Sequence, residues 1–479
     1  MDTAEPRAVF TDPERRAINI DTLFQVTPKS QVRVEASDSE VHQTDMTSFS
    51  FLTETKYHTS SLKTDYTADT PFGLVKATAY ENWLNTDFNG AIFEANDNTS
   101  VNSTVRVAQL SDTFKAGVSN TFRLQGEYRH SVTGGAIMGP AGSSLQENIY
   151  AVSGMWDWAI NDKWDLTNSA RGDRLDLSRD GLINPSIPLT DGDFHRTITR
   201  PSYNSGLVWK ATPDDTFRLD TARGLRMASA LDFGAEVPLG NMPSPPFPPN
   251  IPVFQSGNPA VNPMAVTNYE LGWAHKIKPI DGEFKTDVFT GKTSGALGTS
   301  GGIIACPVGL GPFLGLPPAA CTAGALVTQG SSAGLGSSND VGAEFDLKGK
   351  FDQNWSWGIN DTIEKIHNHY VNPTVNTLAL TPVNLTNVHL GYQTGPWESD
   401  AFAYYTTRFR QPEPGNNVLI PAPLATIPAH VSLSARLGYK INDATTVAIS
   451  GQSLQQSQSL TSTALETERQ VFLSLDHNF

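Results

Sequence analysis

Alternation at period two, interrupted at intervals by turn-forming residues, constrains this chain more than any other feature. In Thr121–His130, TFRLQGEYRH, Phe122, Leu124, Gly126 and Tyr128 share one face, while Arg123, Gln125, Glu127 and Arg129 share the other. Val32, Val34 and Ala36 alternate with Arg33 and Glu35 in the same way. Val431, Leu433, Ala435 and Leu437 alternate with Ser432, Ser434 and Arg436. Each stretch reads as a strand that is apolar on one side only.

The connections fall into two kinds. Short clusters of Asn, Asp, Gly and Pro join strands in pairs: TPKS after Val26, VSNT before Phe122, INDK before Trp164, ATPDD before Phe217, KPIDG before Phe284, FDQN before Trp355, TGPW before Phe402 and INDA before Val447. Aromatic residues recur beside these turns. Between the pairs the connections are long, reaching from Ser294 to Asn339. A soluble sandwich has the same alternation but neither this regular exchange of short and long connections nor an aromatic belt. The pattern predicts a transmembrane antiparallel β-barrel of about nineteen strands, with its short turns at one rim, its long loops at the other and the aromatics as an interfacial girdle. Residues 1–16 are polar and read as a loop remnant, and the barrel is expected over 17–479. The last strand, VFLSLDHNF, stops at Phe479. An odd number of strands with a C-terminus at the short-turn side starts the first hairpin at the long-loop side.

Composition closes other routes. The net charge is −15. With no basic stripe, nucleic acid is excluded as a partner. No run approaches the length of a membrane helix, but barrels carry a far weaker hydropathy signal. The start, MDTAEPRAVFTDPERR, has no apolar secretory core. Cys306 and Cys321 are the only cysteines and stand without nearby His or acidic ligands. They are expected to form a disulfide in an oxidising compartment and not a metal site. No nucleophile elbow, metalloprotease helix or phosphate-binding glycine loop is present, so neither an enzyme nor a bound cofactor is expected.

Several stretches resemble the β-barrel of TonB-dependent outer-membrane receptors. They are NPAVNPMAVTNYELGW (Asn258–Trp273), PSYNSGLVWKATPDDTFRLDTARGLRMAS (Pro201–Ser229), VGAEFDLKGKFDQNWSWGIN (Val341–Asn360) and the closing strands from Ser432 to Phe479. Asn262-Pro263-Met264 departs from the family's usual Lys-Pro-Glu, and His477 stands where the family more often has a hydrophobic residue. The resemblance covers nearly the whole chain. It implies a bacterial outer-membrane location, a 22-stranded barrel around a plug, and uptake of scarce ligands, chiefly ferric siderophores, driven by TonB. It further implies that Phe479 is read by the barrel-assembly machinery. No plug or TonB-contact segment is recognisable, and three strands are missing by count, so the chain reads as a plug-less C-terminal fragment. A passive channel and a loop-only surface receptor are the other readings.

The candidate ligand contacts are Arg123 and Arg129 beside Glu127, Arg223 and Arg226 in ARGLRMAS, and His367 and His369 in KIHNHY. Guanidinium groups suit anionic ligands, and imidazoles suit a ferric complex. Each has a plainer structural role as well: inner-wall solvation, a strand end, or the base of a loop.

Overall fold

The computed structural model describes residues 13–46, 52–89, 99–242, 250–296, 302–317, 320–330, 336–370, 380–412, 424–455, 458–459 and 467–477. Within them nineteen strands form one antiparallel sheet. The sheet is an up-and-down meander in which each wall strand pairs with the next along the chain. It runs from Glu14–Thr27 to Gln470–His477. The first strand begins at Glu14, inside the segment that reads as polar in the sequence. Among the described residues the two terminal strands do not pair with each other, so the sheet is open. No helix is long and apolar enough to cross a membrane.

The short connections lie at one rim. Ser30 follows Thr27, Gly73 follows Thr70, and Trp164 follows Asn161 after two residues each. Where the backbone must turn left-handed, Asp281 (φ 42°) and Gly395 (φ 52°) supply the conformation.

Register shows which side chains share a face, because directly paired residues project to the same side. One face carries Ile18, Ile20, Leu110, Leu124, Val152, Leu219, Leu271, Val288 and Leu473, all more than half exposed. Contiguous apolar exposure of this kind marks a lipid-facing wall. Along the short-turn rim the same face bears an aromatic girdle. Phe114, Phe122, Trp156 and Trp158 stack in series at 5.4–6.2 Å. Trp164, Trp209, Phe217, Trp273 and Phe284 continue it at 5.3–6.2 Å. Trp355–Tyr392 and Trp397–Tyr439 extend it across the later strands.

The opposite face is charged. Lys63 reaches Glu35 at 2.7 Å and Asp65 at 3.0 Å. Arg436 meets Glu398 at 2.5 Å. Charged groups on a bilayer-facing wall would be costly, whereas a watered interior accommodates them. This is therefore the inner face.

Candidate functional site

The inner wall carries charged clusters, and loops fold over it toward the long-loop rim. On the wall, Glu127 is nearly buried and accepts from Arg171 and Arg129 at 3.2 Å each, and from Gln109 at 3.1 Å. Arg171 also holds Asp173 at 2.8 Å. Further round, Arg218 is surrounded by Asp220, Glu270 and Asp287, the last at 3.0 Å. Arg218, Asp220 and Glu270, with Asn204, Ala222 and Asn268, line a shallow concavity of the wall. Three carboxylates around one guanidinium leave that part of the wall acidic.

Toward the long-loop rim the inner face changes character. Along Trp164–Asp180 the inward positions read Arg171, Asp173, Leu175, Leu177 and Arg179. Leu175 and Leu177 are buried, together with Leu145 and Ile198 on the neighbouring strands. Segments between strands pack on them: Ile137 and Met138, Phe194, Ala228 to Phe233, and Val261. Full burial of a side chain such as Phe194 or Phe233 stabilises by about 1.5–3 kcal/mol.

Arg179 is the hub of this assembly, with its side chain wholly buried. It pairs with Glu236 at 2.6 Å, donates to the carbonyls of Met138, Leu182 and Gly234, and lies 5.1 Å over the Phe194 ring. Burial pushes the Glu236 carboxyl above its ordinary range, against the opposing pull of the Asn184 N–H and the Arg179 guanidinium. Arg196 adds a second tie by donating to the carbonyls of Pro259 and Val261.

Outside this core the loops build a small sheet of their own. Glu236–Asn241 pairs antiparallel with Pro252–Ser256, which pairs parallel with Leu326–Gln329; Ile303–Ala305 completes it. Cys306 and Cys321 are disulfide-bonded and buried beside Met242, Ile251 and Leu326. Among the described residues no group of three or more potential metal ligands occurs.

The residues singled out by sequence do not converge on one point. Arg123 and Arg129 lie on the inner wall, hydrogen-bonded to Gln125 and Glu127 respectively. Arg226 projects inward and Arg223 outward, because three residues along a strand reverse the face. Register carries Arg223 through Thr267, Lys292 and Asn339 to His367, which places His367 and His369 on the outer face as well. Phe479 lies outside the described residues. Arg179, Glu236 and Arg218 are not singled out by sequence reading. Only the passage from charged to apolar inward positions between Asp173 and Leu177 hints at the first two, and nothing singles out Arg218.

A polar inner face, a lipid-type outer face and loops folded onto the mouth define the wall of a membrane receptor barrel. The chain belongs to the TonB-dependent receptor β-barrel family, whose model, described as TonB dependent receptor-like, beta-barrel, matches residues 11–452. No curated protein matches the sequence. Among solved structures, the chain is similar to the siderophore receptor PirA from Acinetobacter baumannii, with 13% identity, a TM-score of 0.71, and coverage of 98% of this chain and 71% of that one. A mutant of the ferric enterobactin receptor PfeA from Pseudomonas aeruginosa gives 13% identity and a TM-score of 0.72, over 100% and 72% of the two chains. The copper transporter OprC gives 11% identity and a TM-score of 0.71, over 98% and 72%. At such identities the likeness shows the fold. The family is one of outer-membrane transport receptors.

Proposed function

We propose that this chain is the barrel portion of a bacterial outer-membrane receptor that takes up a scarce nutrient, a ferric siderophore-type ligand by preference, with energy supplied through TonB. The observation that carries the proposal is the loop assembly latched by Arg179 onto the inner wall. Loops folded into the mouth narrow the passage and build a shaped surface there, which suits a receptor for a large ligand better than an open diffusion pore. Arg123, Arg129 and Arg226, on the inner face, are the cations proposed to meet an anionic ligand on its way through. Transport further implies a plug that answers to TonB, lipid around the outer wall, and recognition of Phe479 by the barrel-assembly machinery.

The test is uptake of iron from a panel of radiolabelled ferric siderophores. The hosts are iron-starved, lack their own receptors, and differ only in possession of TonB. With a receptor plug domain supplied alongside the barrel, uptake that needs both the protein and TonB is expected. Equal leakage of small solutes with and without TonB would make it a passive channel, and surface binding without uptake would make it a loop receptor.

A further inference from the structure

Charge is distributed unevenly along this chain. Charged residues make up 17% of it, yet none falls between Val237 and Tyr269 or between Thr293 and Asn339. These two stretches contain most of the small sheet of the loops. The connection after Asp180, by contrast, carries Asp191, Asp193 and His195. Loops at a watered mouth ordinarily carry charge, so its exclusion here points to what these loops meet.

The packing arranges the loops in layers. On one face of the small sheet, Phe254 and Val327 meet Ile183, Ile187 and Leu189. Ile183 and Leu189 also pack against the cluster that contains Leu175 and Leu177 of the inner wall. On the other face, Val253 and Leu326 meet Leu310 and the Cys306–Cys321 disulfide. In this order of packing the disulfide-closed segment is the layer farthest from the wall. It leaves apolar side chains in solvent: Val308 and Phe313 are 77% and 69% exposed, and Pro312 and Pro317 are exposed too. A layer that is both apolar and free of charge at the surface marks a place where an apolar group docks.

The base of the same stack is cationic. Arg226 ends its strand two residues before Ala228, which belongs to the cluster on the inner wall. Arg226 projects inward and is exposed, and no carboxylate among the described residues pairs with it. A charge-free apolar surface above an unneutralised guanidinium fits a molecule with an apolar chain and an anionic end.

We propose that the loop stack binds the apolar chain of an amphiphilic ligand whose anionic end meets Arg226, so that the nutrient taken up is an acylated ferric chelate. The inference rests on the proposed uptake and names the class of ligand within it.

The experiment measures binding of a radiolabelled ferric citrate–hydroxamate chelate, bare or carrying acyl chains of increasing length. The full chain is held in lipid nanodiscs with a receptor plug domain supplied, and nanodiscs without the chain are the blank. Affinity is expected to climb with chain length, by roughly fourfold for each methylene that becomes buried. Val308→Asp, which sets a carboxylate in the patch, is expected to flatten that climb, and Val308→Leu to keep it. Val308 lies outside the buried clusters, and an unchanged proteolytic pattern over 302–330 checks that the aspartate variant folds. Arg226→Gln is expected to weaken every chelate by roughly tenfold or more with the climb intact. Equal affinity for bare and acylated chelates, an undiminished climb in Val308→Asp, or native affinities in Arg226→Gln would overturn the inference and leave the uptake reading standing. Dimers that Val308→Asp dissolves, without any climb, would make the patch a contact between two copies and overturn it as well. Binding of no chelate, bare or acylated, would overturn the uptake reading and the inference with it.

Discussion

The two rims of this sheet are built on different physics. At the short-turn rim the strands are joined through two to four residues, and neighbours in space are neighbours in sequence. Order there needs little loop-closure entropy, and the stacked aromatics from Phe114 round to Tyr439 add ring contacts between adjacent strands. At the long-loop rim, residues far apart in sequence meet: Arg179 with Glu236, Ile187 with Val327, Met242 with Cys306. The first rim is redundant, so one lost contact leaves many. The second is concentrated, so one lost residue can undo it.

The largest expected effect therefore belongs to the hub. Arg179→Leu leaves the Glu236 carboxylate buried without its cationic partner and with only the Asn184 N–H, at a cost of about 3–5 kcal/mol. Hydrogen exchange should show residues 228–241 losing protection, with the wall strands below Asp173 unchanged. Exchange that stays native in the loops would remove the distinction between the rims. The disulfide comes next. With a sequence separation of 15, its loss costs the Cys306–Cys321 loop about 3 kcal/mol. Limited proteolysis of Cys321→Ser is expected to cut within 302–330 first, while the hub holds. The smallest effect is expected at the girdle. Trp209→Ala removes ring contacts at 5.3 Å on both sides, worth about 0.5–1.5 kcal/mol each. The thermal midpoint in detergent should move little, and a shift as large as that of Arg179→Leu would mean that the girdle is concentrated too.

The same contrast explains what could be read in advance. Alternation and turn chemistry are local, so the nineteen strands, the hairpins such as Asn161–Trp164, and the aromatics beside them are legible in the sequence. The loop core is not. Ile187, Phe194, Phe233 and Val261 stand singly among Gly, Pro and polar residues, with no period to mark them as partners. One trace does exist, in RGDRLDLSRD. Its inward positions turn from charged to apolar while the strand continues, which demands that something cover Leu175 and Leu177. Arg223 and Arg226 teach the converse. As one motif they read as a single cationic site, yet their odd spacing in a strand sends them to opposite faces, and period two alone suffices to say so.

The carbonyls that Arg179 holds come from three separate connections, at Met138, Leu182 and Gly234. Loops tied to a common guanidinium are coupled, since freeing any of them takes a partner from the same buried charge. Three connections that the sequence keeps apart thus share one anchor, and a change in any of them is felt by the other two through Arg179.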